Sequence, residues 1–351
     1  MHSVSIPHNI CILRISAIGD VTHVVPVVRA IQDSSGDTRI TWVCGRLEHE
    51  VVAGLEGVRF AIFDKRAGWR AFRDLKRQLA GERFDVLMHM QVAARASLAG
   101  ALVKARIRLG WDKARSRDLH QLFINRRVEA AEGQHQVQGF LSFARALGLD
   151  AGEPRWDLPV SRESQAFAEQ VLPGDQPALV ISPCSSHPLR NWAAERYAAV
   201  ANHAAAGLGM RVALTGGPSD AEASMGQSIE RSMRNAAVNL IGRDTLPQSL
   251  ALLQRAAVVL SPDAGPAHLA NALGTPVIGL HACTWSKRSG PYNSLDICVD
   301  KFPEAARRFL GKEPEALRWG TRIERPGVMD LIPVDDVIDR LEQVVRGPRQ
   351  E

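Results

Sequence analysis

Three segments of this chain place acidic, hydroxyl or glycine residues between a short apolar run and helix-like sequence. In the segment 261–277, an apolar run at 256–260 leads into Ser-Pro-Asp-Ala-Gly-Pro-Ala-His-Leu. Pro266 suits the first turn of a helix, and Gly265 lets an anion approach the backbone closely. Because the first N–H groups of a helix lack partners and its dipole favours negative charge, we expect a phosphate near Asp263. An ordinary loop after a strand is the alternative interpretation.

A second segment, 182–192, reads Ser-Pro-Cys-Ser-Ser-His-Pro-Leu-Arg-Asn-Trp and also separates a strand-like run from a helix. The hydroxyls of Ser185 and Ser186 can donate hydrogen bonds to phosphate oxygens, and the Arg190 guanidinium can bind two such oxygens at once. These residues suit a diphosphate, and a serine-rich loop is the alternative. The segment 215–222, which contains Asp220 and Glu222, places a carboxylate just beyond another strand end and a glycine turn, where acidic side chains commonly hold ribose hydroxyls.

The third segment, 16–26, contains Gly19 and Asp20 directly after the first apolar run. Gly19 permits a sharp turn, so the Asp20 carboxylate would project from the strand end into a cleft. In the alternative interpretation Asp20 only caps the helix that follows, as most aspartates at such positions do. His23 could assist a carboxylate there, although a histidine in this position more often orients the loop.

Length and composition indicate a globular protein of two domains. A chain of 351 residues exceeds what one hydrophobic core usually organises, and 45% hydrophobic with 23% charged residues is typical of globular proteins. No apolar run of 18 residues predicts a transmembrane helix, and the first apolar run, 10–15, is too short and interrupted for a signal peptide. The five cysteines form no Cys-x-x-Cys pair, so we expect a reducing, cytoplasmic environment.

The net charge of +5 is unevenly distributed. Residues 51–127 carry 17 Lys and Arg against 7 Asp and Glu, a net charge of +10, so the rest of the chain carries −5. A field of this sign attracts polyanions such as nucleic acid, an anionic membrane or a phosphorylated substrate. Arg115 and Arg117 lie in this region and are candidates for such contacts. A solvated helix face is the alternative for the basic cluster at 65–77.

Apolar runs alternate with helical patterns through both halves, which predicts an α/β fold with parallel sheets and helical crossovers. The predicted strands are 11–15, 40–44, 60–63, 86–90, 178–182, 211–215, 238–241, 258–261, 277–280 and 297–299. Two Rossmann-like domains with a junction at 152–174 are the leading interpretation. Ligands of such folds bind at the carboxyl ends of strands, so we expect the substrates in the cleft between the domains.

Three motifs together resemble glycosyltransferase family 9, the ADP-heptose:lipopolysaccharide heptosyltransferases. They are Gly19-Asp20-Val21-Thr22-His23, the segment 185–192 and the turn from Asp263 to Leu269, in the family's order and spacing and over about the whole chain. The resemblance implies a GT-B fold, in which two Rossmann-like domains face each other across a cleft. We expect an acceptor-binding domain at 1–160, a nucleotide-sugar-binding domain at 161–332 and a C-terminal helix at 333–351 that packs back on the first domain.

The resemblance also implies transfer of heptose from ADP-L-glycero-D-manno-heptose, with inversion, to the Kdo-containing inner core of nascent lipopolysaccharide. Asp20 matches the family's catalytic base. The residues implied in donor binding are Ser185, Ser186, Arg190, Glu222, Thr245, Leu246, Asp263, Ala264, Gly265 and His268. The residues considered for acceptor binding are His23, Arg115, Arg117 and His135.

The expected partners are an ADP-sugar donor and an anionic lipid A–Kdo or inner-core acceptor, and no nucleic acid. The family acts at the inner leaflet of Gram-negative cells, which implies a cytoplasmic protein in peripheral contact with the inner membrane. No metal or other cofactor is expected. The chain has no Asp-x-Asp, no His-Glu-x-x-His and no Gly-x-x-x-x-Gly-Lys-Ser/Thr motif.

Departures from the family pattern leave alternatives open. Ala264 stands where the family's turn commonly carries a hydroxyl residue, and Gly139 stands where some members carry an arginine for the acceptor. The segment 281–285 replaces a common Gly-Pro-Thr. A transferase or epimerase that uses another nucleotide-sugar is therefore one alternative, and a catalytically inactive nucleotide-sugar-binding module is another.

Overall fold

The computed structural model of the protein describes residues 7–347. The chain divides into two compact units between Pro159 and Val160. Each unit contains one six-stranded sheet in which every strand pair is parallel, with helices in the connections. The predicted α/β class is therefore confirmed.

The first unit has the strand order β3-β2-β1-β4-β5-β6. Its strands are β1 (Asn9–Leu13), β2 (Arg39–Gly45), β3 (Val58–Phe63), β4 (Phe84–His89), β5 (Ala105–Gly110) and β6 (Arg126–Arg127). Its helices are α1 (Ile18–Ser34), α2 (Arg46–Val52), α3 (Trp69–Gln78), α4 (Ala94–Ala101) and α5 (Gln136–Arg145).

The second unit has the order β12-β11-β10-β7-β8-β9. Its strands are β7 (Ala178–Ile181), β8 (Arg211–Leu214), β9 (Val238–Asn239), β10 (Val258–Pro262), β11 (Val277–His281) and β12 (Val299–Asp300). Its helices are α6 (Arg162–Val171), α7 (Ala194–Leu208), α8 (Asp220–Ser232), α9 (Leu246–Arg255), α10 (Gly265–Ala272), α11 (Ser286–Ser289), α12 (Phe302–Ala305) and α13 (Val334–Arg346).

Both sheets have the same topology when strands are numbered within each unit. The first and fourth strands are neighbours at the centre: β1 beside β4 in the first unit and β7 beside β10 in the second. The strand order reverses direction at this point, which is where open α/β sheets bind their ligands, at the carboxyl ends of the strands. The segment with Asp20 follows β1, and the segment with Ser185 and Ser186 follows β7. The turn with Asp263 follows β10.

The loop after β7 is fixed by a buried aromatic pair. The rings of Trp192 and Tyr197 meet edge to face with their centroids 5.2 Å apart. The Tyr197 hydroxyl donates to the carbonyl of Pro183 over 3.2 Å, and the Trp192 indole N–H donates to the carbonyl of Ile332 over 3.2 Å. Because both rings are buried and hydrogen-bonded, the loop that carries Arg190 is held at both ends.

Each of the ten predicted strands overlaps a strand of the structure, but the prediction missed β5 and β6. Arginines alternate with apolar residues in β5, so it read as a basic surface cluster and not as a strand. The strand accommodates the charge of Arg108 because its guanidinium donates to the carbonyls of Phe123, Val103 and Gly100 over 2.7–2.8 Å. The prediction for 297–299 was also too long, because β12 begins only at Val299.

The C-terminal helix α13 packs on α7 of the second unit. Val337 and Leu341 on its apolar face are fully buried in the core of that unit. Packing of this helix against the N-terminal unit stays a prediction, and the final residues of the predicted segment 333–351 lie outside the described residues.

All five cysteines are buried and none is in a disulfide. Within residues 7–347, no helix is long and apolar enough to cross a membrane. Over the same described range, no three His, Cys, Asp or Glu side chains lie close enough to hold a metal ion together.

The first unit buries two histidines against each other beside the carboxyl end of β4. The rings of His89 and His120 meet edge to face with their centroids 4.5 Å apart, and both are fully buried. Burial lowers the pKa of both rings well below the usual value, and for His89 the neighbouring His120 and Arg108 lower the pKa further. Both histidines are therefore neutral in the folded protein at neutral pH.

We predict that the free energy of unfolding falls as the pH drops below about 6.5. The unfolded chain then binds protons that the folded pair does not, so stability decreases by up to about 1.4 kcal/mol per pH unit for each histidine. Urea unfolding followed by tryptophan emission from pH 7.5 to 5 measures this slope. The His120→Gln variant should show a shallower slope than the wild type, and equal slopes would contradict the assignment.

Candidate active site

In the first unit, the Asp20 carboxylate lies in the first turn of α1 and is held on both oxygens. Oδ2 accepts a hydrogen bond from the guanidinium of Arg14 and one from the Ala17 N–H over 3.3 Å. Oδ1 accepts from Nε2 of Gln136, at the start of α5, over 2.6 Å. The carboxylate is only partly exposed, so its orientation is set by these three donors.

The partners of Asp20 are themselves fixed. Arg14 also donates to the carbonyl of Met90 over 2.8 Å, and its guanidinium lies over the Phe140 ring at 5.3 Å from the centroid. Next to it, the Gln91 side chain accepts from the Ile15 N–H over 2.8 Å and donates to the Ser16 hydroxyl over 2.8 Å. These contacts join the end of β1 to the end of β4, and they present a preorganised carboxylate at the reversal point of the sheet.

In the second unit, Arg190 lies between two carboxylates. Its Nε donates to Oε1 of Glu324 over 2.9 Å, and its Nη1 is 3.9 Å from Oδ2 of Asp263. His187 lies 3.6 Å from the other carboxylate oxygen of Glu324. Burial alone would raise the pKa of Glu324, but the hydrogen bond and charge of Arg190 hold that pKa below its usual value. The guanidinium is thus buried, and its orientation is set by Glu324.

Asp263 lies between the end of β10 and the start of α10. His268 approaches its Oδ1 to 3.7 Å, and the Ser289 hydroxyl donates to Oδ2 over 3.4 Å. Burial alone would raise the pKa of this carboxyl, but the neighbouring His268, His281 and Thr284 hold the pKa well below its usual range. Asp263 is therefore ionised at neutral pH, beside the N–H groups that begin α10 at Gly265.

The hydroxyl segment and the predicted ribose acid both lie in the second unit. The Ser185 hydroxyl bridges the backbone of His187, and its own N–H donates to Asn191 over 2.7 Å, while Ser186 is exposed. The Glu222 carboxylate accepts from the Gly217 N–H over 2.6 Å. Burial raises the pKa of the Cys184 thiol, in the loop after β7, and the charge of Glu222 raises this pKa further.

Thr245 and Leu246, where an adenine is expected, begin α9. The Thr245 hydroxyl accepts from the Gln248 N–H over 3.4 Å, and the Gln248 side chain accepts from the Thr245 N–H over 2.9 Å. This capping box fixes the start of the helix. The Thr245 side chain therefore has a structural role, and its contact with a nucleotide stays a prediction.

The four residues considered for the acceptor occupy different environments in the first unit. His23 is buried against the Phe140 ring, at 5.8 Å between centroids, and His135 is buried as the cap of α5. The Arg115 guanidinium lies over the Trp111 ring at 4.7 Å and pairs with Asp112. Arg117 is exposed. Of the four, Arg117 presents its charge most openly to solvent.

Several partners of Asp20 and Arg190 were not predicted from the sequence. Arg14 lies six positions before Asp20, but Gln136 is 116 positions after it, and Glu324 is 134 positions after Arg190. No local motif links such partners. Arg14 alone had a usable signal, because a charged residue inside the first apolar run needs a polar partner near the strand end.

Comparisons with known proteins agree with this geometry. A model of glycosyltransferase family 9 (heptosyltransferase) matches residues 72–315. The chain is 36% identical to the lipopolysaccharide core heptosyltransferase OpsX of Haemophilus influenzae, over 96% of this chain and 97% of that protein.

Solved structures share the fold. A glycosyltransferase of family 9 from Veillonella parvula superposes with a TM-score of 0.80 at 18% identity, covering 97% of this chain and 98% of that chain. The ADP-heptose lipopolysaccharide heptosyltransferase II of Escherichia coli superposes with a TM-score of 0.74 at 17% identity, covering 96% and 98%. The GT-B fold implied by the motifs is confirmed. The chain is a member of glycosyltransferase family 9, the heptosyltransferases.

Proposed function

We propose that this enzyme transfers heptose from ADP-L-glycero-D-manno-heptose to the inner core of nascent lipopolysaccharide, with inversion at the anomeric carbon. The observation that carries the proposal is the placement of an oriented carboxylate, Asp20, and a buried guanidinium, Arg190, at the reversal points of the two sheets. The names of the similar proteins, a lipopolysaccharide core heptosyltransferase and an ADP-heptose heptosyltransferase, support the donor and the acceptor class.

In this proposal, the second unit binds the donor. The diphosphate lies against Arg190 and the first N–H groups of α10, where the helix dipole favours negative charge. The hydroxyls of Ser185 and Ser186 add hydrogen bonds, and Glu222 binds the ribose hydroxyls. Ala264 supplies its N–H but no hydroxyl, and Asp263 and His268 bind the sugar.

The first unit supplies the base. Asp20 takes the proton of an acceptor hydroxyl while that oxygen forms a bond to the anomeric carbon. The bond from this carbon to the β-phosphate oxygen breaks on the opposite face, and ADP leaves with the bonding electrons. Because both oxygens of Asp20 already accept hydrogen bonds, the acceptor hydroxyl displaces or shares the bond from Gln136. Arg190 and the start of α10 offset the charge that develops on ADP.

We also propose that no metal ion takes part and that the enzyme works in the cytoplasm, in peripheral contact with the inner membrane. A basic first unit suits an acceptor that is anionic. Lys65 pairs with Glu48 over 2.7 Å and Arg77 pairs with Asp74 over 3.1 Å, so part of this charge is already paired within the protein. The exposed arginines, such as Arg117, remain available for acceptor phosphates or carboxylates.

The alternatives differ from this proposal in the products that they give. An epimerase would convert the nucleotide-sugar without an acceptor, and an inactive binding module would bind ADP-heptose without turnover. Incubation with ADP-heptose and a Kdo-containing lipid acceptor tests all three. ADP release that requires the acceptor supports heptose transfer, and acceptor-independent conversion of the donor would overturn it.

The Asp20→Asn variant should lose turnover by about 10²- to 10⁴-fold, because a general base contributes about that much. Its affinity for ADP should stay unchanged, since the donor residues all lie in the second unit. Steady-state kinetics and calorimetry measure the two effects. Asp33→Asn, an exposed aspartate near the other end of α1, is the matched control. Turnover of purified Asp20→Asn at the level of this control would contradict the mechanism.

Arg190→Ala and Glu222→Ala should each weaken ADP binding by roughly 1.5–3 kcal/mol, the value of a charge-assisted hydrogen bond. Calorimetry measures the loss, with Arg231→Ala, an exposed arginine of α8, as the control. Removing Arg190 also leaves the Glu324 carboxylate without its cation. The unpaired negative charge of Glu324 would then repel the diphosphate and weaken ADP binding even if Arg190 does not contact it. If Arg190 contacts the diphosphate, the loss persists when Arg190→Ala is combined with Glu324→Gln. Full recovery in the double variant would show that Arg190 does not bind the donor.

Arg117→Ser should raise the KM for the acceptor without changing donor affinity, and it should flatten the salt dependence of turnover. Exposed charges are screened at about 0.15 M ionic strength, where the Debye length is about 8 Å. Arg115→Ser should instead lower the thermal midpoint, because Arg115 joins Asp112 to the carbonyl of Glu129 over 2.8 Å. If the KM for the acceptor is unchanged in Arg117→Ser, Arg117 does not bind the acceptor and is an ordinary solvated residue.

A further inference from the structure

Three leucines of the first unit point into solvent from two adjacent elements. Leu119 and Leu122 are 72% and 76% exposed, and Leu98 on α4 is 45% exposed. Leu122 lies on a short 3-10 turn, His120–Phe123, that packs against α4, and Leu119 directly precedes that turn. We call the area formed by Leu98, Leu119 and Leu122 the leucine surface. Large apolar side chains exposed together commonly mark an interaction site.

The backbone at the start of the 3-10 turn adopts an unfavourable conformation. Asp118 and Leu119 have φ values of 49° and 59°, in the left-handed region that residues other than glycine seldom adopt. The Asp118 carboxylate accepts from the N–H of Ala94 over 3.3 Å, which ties the turn to the start of α4. His120 is fully buried beneath it. The fold thus keeps Leu119 outside while the next residue is in the core.

Basic residues surround the leucine surface. Arg95 on α4 and Arg117 before the turn are exposed, and Arg127 donates to the side chain of Gln121, the neighbour of Leu122. Between residues 92 and 127 the only acidic residues are Asp112, which pairs with Arg115, and Asp118. An apolar area within a cationic rim complements an anionic lipid bilayer, in which leucines enter the acyl boundary and arginines meet the headgroups.

The elements that carry the leucine surface both follow the carboxyl edge of the sheet. Helix α4 follows the carboxyl end of β4, and the 3-10 turn follows the carboxyl end of β5. Because all strands of this sheet are parallel, Asp20, after β1, lies at the same edge. We propose that the leucine surface docks on the anionic surface of a lipid bilayer and brings this edge to it. This docking assigns a surface to the membrane contact of the proposed function and rests on that part of it, whereas its test needs neither donor nor acceptor.

Sedimentation with vesicles that contain no acceptor tests the proposal. The wild type should bind vesicles of phosphatidylcholine with phosphatidylglycerol more tightly than vesicles of phosphatidylcholine alone. The double variant Leu119→Ser/Leu122→Ser should lose at least about tenfold in partitioning, because two buried leucines contribute that much or more. Val238→Ser, a 42% exposed valine on β9 of the second unit, is the control and should bind as the wild type does.

Two further measurements separate this proposal from other outcomes. Turnover of a soluble, lipid-free acceptor should be the same in the double variant as in the wild type. If the wild type itself transfers no heptose, the proposed function is contradicted and the vesicle-binding result still stands. Equal vesicle binding by the wild type and the double variant would overturn the docking proposal. Concentration-dependent dimerisation of the wild type that the double variant loses, measured by light scattering, would also overturn it and assign the surface to a contact between copies.

Discussion

The strand order of the two sheets is the constraint on which the candidate residues of both units depend. In each unit the first and fourth strands are central neighbours, and the chain leaves them in opposite directions. The carboxyl ends of these strands are therefore open to a ligand, whereas crossover helices cover the faces of the sheet. Asp20 follows one such strand in the first unit, and Arg190 and Asp263 follow both such strands in the second. The chemistry is thus carried on short connections between rigid strands.

In the second unit, one guanidinium and two carboxylates form a connected charged group. One guanidinium, Arg190, contacts Glu324 and approaches Asp263, and His187 and His268 lie beside the two carboxylates. In the proposed function, the donor diphosphate would add negative charge to this group, so its binding would depend on the positive end of α10 and on the orientation of Arg190. Glu324 therefore has two opposing effects in the account: it holds the guanidinium in place, and it competes with the diphosphate for it.

The sequence predicted the elements that depend on local pattern. Apolar runs located the central strands, and the Pro266 and Gly265 turn correctly marked the start of α10. The basic strand β5 was missed because its arginines find carbonyl partners that only the folded chain supplies. The partners of Asp20 and Arg190 were missed for the same reason, since Gln136 and Glu324 are more than a hundred residues away along the chain. Pattern therefore predicts where a site lies, but it does not identify which distant side chains orient it.

A crystal structure of the protein with ADP would test the central claim most directly. The account predicts that the pyrophosphate lies within hydrogen-bond distance, about 3 Å, of the Arg190 guanidinium and of the backbone N–H groups that begin α10. The ribose should contact Glu222, and the adenine should lie near Thr245 and Leu246. A pyrophosphate bound away from the ends of β7 and β10, with Arg190 still paired only with Glu324, would contradict the account.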